Sequence, residues 1–349
     1  MIQAKGPPGG WDRALMSLPR GEPTAPSPQT IVVVFNPAAG HGRARHLRSA
    51  LEATLDEAAR TRPGHVGHAD ASAQRLRWTI VETTGPGSAS ALARQAAETG
   101  ADIVAAAGGD GTFNEVANGI VGTHAALALL PLGTGNDFAR TLGVGRTLTD
   151  AVRTLCTGRR HHIDLARLQW GTSARYVLNE AGCGFDVAVG ERVNRGYRLL
   201  RGSAAYVAAV LESLRDFTPI DMQLTVDDAS WVLKAMLCVV SNGPTFGGGM
   251  RIAPSARPDD GLLDVCVVSE ASRWELITTF PRVYGGTHTT HPKVRLVQGR
   301  RIRIETAHPV PLLVDGEIVG LTPAGITVVP GAIDVMAPIV SASRPSDRP

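Results

Sequence analysis

From residue 30 onward, apolar runs of strand length alternate with stretches of helical period. Residues 30–36, TIVVVFN, are almost wholly apolar, the pattern of a strand buried on both faces. Residues 43–60 place Leu47, Leu51 and Leu55 at i, i+4 and i+8, which predicts a helix with one apolar face. LRWTIVE (76–82) predicts the next strand, Ser88 to Glu98 a helix, and Ile103 to Ala107 a short, fully apolar strand. The glycine-rich GGDGT follows, then a helical stretch with Val116, Ile120 and Val121 in phase, Glu115 in its first turn and Thr112 as candidate cap. ALALLPLG (126–133) predicts a further strand, with a helix from about Asp137. Strands and helices in alternation predict a doubly wound, Rossmann-like parallel sheet with right-handed crossovers.

The period changes near residue 160. HHIDLARLQW, ARYVLNEAGCG, IDMQLTVDD, WVLKAMLCVVSNG, LLDVCVVSE, KVRLVQGRRIRIET and AGITVVPG are β-branched or alternate apolar with polar, which predicts strands separated by turns. Two helical stretches interrupt them, 187–216 (broken at Gly196 and Gly202) and 274–285. The expected architecture is an α/β nucleotide-binding domain over 30–160 and a mostly antiparallel β-sandwich domain over 161–330, with a strand near 332–338 able to return to the first domain. Residues 1–29 and 339–349, rich in Pro, Gly and small polar residues, are expected to be a disordered leader and tail.

Composition narrows the function classes. With 349 residues and 43% hydrophobic residues, two cores are easily filled. A net charge of +3 is too small to argue for a nucleic-acid partner. Cys156, Cys183, Cys238 and Cys266 are widely spaced with no C-x-x-C, which favours buried reduced thiols over disulfides or a metal cluster. No apolar run reaches the ~18 residues of a membrane span.

The candidate chemistry lies at strand ends, where α/β sheets bind ligands. The first strand exits into NPAAGHG, the third into GGDGT and the fourth into PLGTGND. A helix N-terminus behind glycines suits phosphate, since free N–H groups and the positive dipole end face the ligand. Asp110 then needs a reason, because a carboxylate repels phosphate; a divalent cation between them supplies one. A tight turn with an exposed Asp is the bland alternative.

In this order, NPAAG, GGDGTFNEVANG, LPLGTGNDFAR, FGGGMRIAPSARPDDGLLDV and LLVDGEIVG resemble the diacylglycerol kinase catalytic-domain family, above all the soluble bacterial lipid kinases, from about Ile31 to Ala337. GGDGT alone is shared with NAD kinases and 6-phosphofructokinases; its combination with GTGND and a late DGE is far more specific. The resemblance implies an ATP- and Mg²⁺-dependent kinase of a lipid hydroxyl. Diacylglycerol is the first substrate expected, then a sphingoid base or phosphatidylglycerol, then NAD; a non-catalytic sensor is the alternative from another class. It implies that Asn36, Pro37, Ala38, Ala39, Gly40, Gly108, Gly109, Asp110, Gly111, Thr112, Phe113, Asn114 and Thr134 contact ATP, with Thr84 (or Thr83 beside it). It also implies that Asp110, Asp137 and Asp164 form an acidic network near the phosphates, Asp110 holding Mg²⁺, and that Glu317 is the general base. Asp137 could equally cap the helix behind it, and Asp164 could be an ordinary strand-edge residue. A structural Mg²⁺ is implied at the PDDG turn, on Asp260, the Leu262 carbonyl and the carbonyl of Arg257, with a plain turn as the competing reading. The implied location is cytoplasmic, peripheral to the inner face of the membrane, with a lipid partner and a homodimer left open. Arg192, Arg195, Arg198 and Arg201 beside Tyr197, Leu199 and Leu200 are the expected bilayer contact, against a solvated helix face packed on the core.

Overall fold

The computed structural model describes residues 29–61, 76–195 and 203–338. The expected leader (Gln29 apart), the tail and the Tyr197–Arg201 stretch lie outside them.

The first half runs β1 (Thr30–Phe35), a 3₁₀ turn (Arg43–Leu47), α1 (Arg48–Thr61), β2 (Arg77–Glu82), α2 (Ser88–Glu98), β3 (Ile103–Gly108), α3 (Asp110–Ile120), β4 (Ala126–Pro131), α4 (Asp137–Thr141) and α5 (Leu148–Thr157). Its strands pair in parallel in the order β2-β1-β3-β4. β3 is buried throughout, as its unbroken apolar run requires, whereas β2 is a half-exposed edge. The chain steps from β1 to β2 on one side and returns to β3 on the other. This reversal opens a crevice above the carboxyl ends of β1 and β3.

The second half runs β5 (Arg159–Trp170), β6 (Ser173–Val177), β7 (Glu180–Gly184), α6 (Phe185–Arg195), α7 (Ser203–Asp216), β8 (Ile220–Val226), β9 (Ala229–Ser241), β10 (Leu263–Ser269), α8 (Arg273–Tyr284), a 3₁₀ turn (Thr287–Thr290), β11 (Val294–Gly299), β12 (Arg301–Thr306), β13 (Pro311–Val314), β14 (Glu317–Leu321) and β15 (Ala324–Ala337). The antiparallel order is β15-β12-β8-β9-β7-β13-β14, with β10 on β9, β11 on β10, β5 on β15 and β6 on β5. The far end of β15 pairs in parallel with β4 through Val335 and Leu127. Among the described residues the two largest apolar cores lie between the parallel sheet and its helices and inside the antiparallel half, with two smaller clusters around Phe246 and Val210. The long strands β5 and β15 join the two largest, contributing Ile163, Leu165 and Val335 to the first and Leu168 and Ile326 to the second.

Several expectations are refined. The helix expected over 43–60 begins as a 3₁₀ turn and becomes α-helical only at Arg48. Gly40, His41 and Gly42 are left-handed, so the chain enters the helix late, and Leu47 stays 39% exposed while Leu51 and Leu55 are buried. Arg43 and Arg45 turn back to donate to the carbonyls of Gly40 and Gly42, closing that loop. ARYVLNEAGCG divides into β6 and β7 at Leu178–Asn179, whose amides point at a carboxylate rather than a neighbouring strand. Helix α5 goes unforeseen, although Thr147 accepts from the Asp150 amide as an N-cap. Arg192, one of the four arginines of the expected bilayer contact, donates to Ser213 and Asp216 and ties α6 to α7.

Candidate active site

Three loops meet above β1, β3 and β4, and glycine at particular positions lets them meet. A Cβ on Gly40, which has φ +60°, would lie 2.8 Å from the Leu132 carbonyl oxygen. A Cβ on Gly133 would lie 2.5 Å from the Gly109 Cα. The GGDGT and GTGND loops are therefore in backbone contact. Asn36, at the end of β1, accepts from the Ala38 amide and donates to Thr112 Oγ1 at 2.9 Å, which binds the first loop to α3. Pro37 and Ala38 sit in that loop beside the packed Ala39. Thr84 and Thr134 are exposed at the ends of β2 and β4.

α3 starts at Asp110 with Gly109 as N-cap, so Thr112 is not the cap; it is buried in the first turn and receives Asn36. Asp110 accepts from the Phe138 amide at 3.2 Å. Asp137 is not the cap of α4 either: Asn136, left-handed, holds that position. The Asp137 carboxylate instead accepts from the Gly248 amide at 2.6 Å, drawing in the FGGGM loop of the second half. The two carboxylates converge over Gly135, where a Cβ would stand 3.0 Å from Asp110 Oδ2 and 3.2 Å from Asp137 Oδ2.

The DGE segment arrives from the second half as a two-residue hairpin turn. Asp315 and Gly316 both have positive φ, 45° and 88°, as a type I′ turn between β13 and β14 requires. Asp315 is buried and accepts from the backbone amides of Leu178, Asn179 and Glu180 and from Asn114 Nδ2. Glu317, at the start of β14, faces the first turn of α3: a Cβ on Gly111 would lie 3.5 Å from Glu317 Oε1. Its other oxygen pairs with Arg175 Nη1 at 2.8 Å, while Arg175 Nε donates to Asn114 Oδ1 at 2.9 Å.

Four carboxylates thus share one polar pocket. Burial, then the charges of Asp137 and Asp315, push Asp110 up to about 6. Asp137 is raised by burial, opposed by the Gly248 amide and Arg140. Glu180 is raised well above the usual carboxylate range by burial and by Asp315, Asp110 and Asp137. Asp315 is raised too, by burial, opposed by the amides of Glu180, Leu178 and Asn179 and by the Arg175 charge, and Glu180 accepts from Asn179 Nδ2. Asp137 Oδ1 is buried without a hydrogen-bond partner among the described residues. Such crowding fits a cation: two converging carboxylates over a glycine, an Asp137 Oδ1 that has no hydrogen bond and only Arg140 Nε at 3.8 Å, and excess negative charge.

The structure gives several of the expected site residues partners within the protein. The Phe113 side chain is buried in the first core, and that of Asn114 is buried and committed to Asp315, Tyr176 and Arg175. Only their backbones remain free to meet a ligand at the start of α3. Asp164 shares no hydrogen-bond partner with Asp110 or Asp137. Its carboxylate accepts from the Gly261 amide at 2.6 Å and the Gly331 amide at 2.8 Å, anchoring the PDDG turn to the β5–β15 bulge. In that turn the Arg257 guanidinium closes on Asp259, and Asp260 accepts from the Leu262 amide. The turn is held by its own hydrogen bonds, and one half-engaged carboxylate is a sparse donor set for a cation. Among the described residues no cluster of three or more His, Cys, Asp or Glu forms a metal site there or elsewhere. Glu180, Asp315 and Arg175 carry much of the site's electrostatics and were not anticipated. The only signal was polarity inside strand-like runs, NEAGCG and SARYV.

The glycine contacts make a sharp expectation. Gly133→Ala places a methyl against the Gly109 backbone, whereas Gly109→Ala meets Gly133 Cα at 3.3 Å, a smaller adjustment. Overpacking of this kind costs roughly 1–3 kcal/mol. Gly133→Ala should lower the melting temperature and weaken ATP binding more than Gly109→Ala. Equal melting temperatures and nucleotide affinities for the two variants would contradict the loop contact.

A second feature lies farther along β7. An apolar cavity of about 90 Å³ is lined by Phe185, Val210, Met236, Leu276, Phe280 and Val283, among others. Phe185 directly follows β7, whose first residue is Glu180, so β7 leads from the acidic pocket to the cavity over about 16 Å at strand rise.

Comparison with known proteins gives a consistent result. Residues 30–168 match the diacylglycerol kinase catalytic domain, and residues 179–337 match the YegS C-terminal NAD kinase beta sandwich-like domain. A diacylglycerol kinase of Mycobacterium tuberculosis is 29% identical over 313 residues, covering 88% of this chain and 95% of the relative. A diacylglycerol kinase of Staphylococcus epidermidis is 30% identical over 254 residues, 72% of this chain and 79% of the relative. The crystal structure of a diacylglycerol kinase from Bacillus anthracis superposes with a TM-score of 0.66 at 23% identity, covering 90% of this chain and 98% of that one.

Proposed function

Because the chain belongs to the diacylglycerol kinase catalytic-domain family, we propose that it is a lipid kinase that moves the γ-phosphoryl group of ATP, with Mg²⁺, to the free hydroxyl of diacylglycerol. One observation carries the reading. Glu317, from the second half, faces the N-terminal turn of α3 in the first half, where the Asp110 and Asp137 carboxylates converge.

Each part then has a role. The glycine-lined loops and the start of α3 bind phosphate oxygens with backbone N–H groups. Asp110 and Asp137 would hold Mg²⁺, which neutralises charge on the transferring phosphoryl group when bound. Glu317 takes the proton of the lipid hydroxyl as its oxygen forms the new P–O bond and ADP departs with the cleaved one. Arg175 fixes one oxygen of Glu317 and leaves the other towards Gly111. The apolar cavity beyond β7 offers a seat for a short stretch of alkyl chain, which favours a lipid acceptor over a polar one.

The test is phosphate transfer from labelled ATP with Mg²⁺ to diacylglycerol, a sphingoid base, phosphatidylglycerol and NAD in parallel. The expected product is phosphatidic acid. Labelling of another lipid alone would change the substrate, and labelling of NAD alone, or of nothing, would overturn the reading.

A further inference from the structure

Among the described residues no helix is long and apolar enough to cross a membrane, so a lipid would have to be met at the bilayer surface. Helix α8 has an unusual distribution for that purpose. Leu276, Phe280 and Val283 occupy one side, at i, i+4 and i+7, and line the apolar cavity. The other side carries Trp274, Ile277 and Tyr284, which are 76%, 37% and 47% exposed. These fall at i, i+3 and i+10, and the exposed Pro281 fills i+7. None of the residues of α8 is fully buried. A surface helix of a soluble domain normally turns a polar face outward, and a contiguous exposed apolar stripe marks an interaction surface.

The surrounding charges select the partner. Lys293 pairs with Glu275 at 2.8 Å and is neutralised by it, while Arg215, 3.8 Å from Asp216, shares that carboxylate with Arg192. Arg273 and Arg282 stand on α8 itself, and Arg251 donates its amide to the Val283 carbonyl. Among the described residues no carboxylate lies within ion-pair distance of these three arginines. The stripe is therefore framed by three uncompensated positive charges. A second copy of the same surface would bring like charges together. An anionic lipid surface complements them, and Trp and Tyr are suited to the boundary between headgroups and acyl chains.

Resting on the lipid-kinase reading, we propose that the outer face of α8 docks on an anionic bilayer, which sets the cavity roofed by its inner face against the acyl chains. Binding of this kind sums apolar contact and attraction to anionic headgroups. Each arginine near the surface contributes roughly a fivefold gain in affinity at low salt.

The experiment compares wild type, the triple variant Trp274→Ser/Ile277→Ser/Tyr284→Ser and the charge variant Arg273→Glu/Arg282→Glu. Each is cosedimented with vesicles of phosphatidylglycerol and phosphatidylcholine, then assayed on diacylglycerol in those vesicles and on a short-chain diacylglycerol dissolved as monomer. Melting curves check that the variants fold. The expected result is wild-type binding that weakens with salt, and a loss of roughly tenfold or more in vesicle binding and vesicle-borne turnover for both variants. Turnover of the monomeric lipid should fall far less than turnover in vesicles, the Tyr284 ring meeting the cavity only through its edge-on contact with Phe280. Folded variants that bind vesicles as wild type does would overturn the proposal, as would a triple variant whose only change is conversion of a dimer to a monomer. If vesicle binding is lost in the variants while no protein phosphorylates either form of lipid, the docking surface stands and the kinase reading falls.

Discussion

Asp110→Asn is expected to raise the melting temperature of the protein without nucleotide and to lower phosphoryl transfer by roughly 10²–10³-fold, the loss typical of removing one preorganised group that faces developing charge. The two effects share one cause. Asp110 is held among Asp137 and Asp315 in a partly desolvated pocket and pushed up to about 6. Its folded-state value therefore exceeds the unfolded one, so the ionised form is disfavoured by folding. The penalty is absent below about 3.8, grows as pH rises through about 6 and is complete above it. Asparagine keeps the acceptor for the Phe138 amide and carries no charge. The gain in melting temperature should thus be largest at about pH 8 and vanish at about pH 3. Added Mg·ATP should stabilise wild type and much less the variant, since the variant loses one of two converging carboxylates. A variant no more stable than wild type at the higher pH would show that the carboxylates do not repel one another as the geometry implies. A variant with full activity would remove Asp110 from the reaction.

The reading from sequence succeeded where burial writes itself into composition and failed where function depends on distant contacts. β1, β3 and β4 are buried on both faces, so their apolar runs identify them without help. By contrast, Asn114 meets Asp315 across 201 residues and Arg175 meets Glu317 across 142, separations that no local period encodes. Motif position alone assigned Phe113 and Asn114 to the nucleotide. In the fold, the helical period of α3 turns Phe113 into the core and Asn114 towards the second half. Glu180 is a further case: a single carboxylate in a strand run looks like a solvated edge, but β7 lies between β9 and β13 and buries it beside Asp315.

Glu317→Gln is expected to lower turnover by about 10²–10⁴-fold, the usual contribution of a general base, while ATP affinity stays nearly constant. A lipid hydroxyl is a weak nucleophile at neutral pH, and the attacking oxygen must lose its proton as the P–O bond forms. Glu317 is placed for that task by two independent supports. The hairpin turn fixes its backbone through the Asp315 carboxylate and three amides, and Arg175 binds Oε2, leaving Oε1 towards Gly111. Glutamine preserves side-chain shape and can still accept from Arg175 through its amide oxygen, so the hairpin and the nucleotide loops should remain in place. Its amide cannot take a proton from the lipid. The loss should therefore appear in kcat, with melting temperature and ATP binding close to wild type. Glu317→Asp offers a control, because it keeps the charge but withdraws it by one methylene, and should fall between wild type and glutamine. Wild-type turnover by Glu317→Gln would place the base elsewhere, with Asp110 the next carboxylate along the same pocket. Loss of ATP binding in that variant would instead make Glu317 part of the nucleotide site and leave the proton acceptor to be found on the second half of the chain.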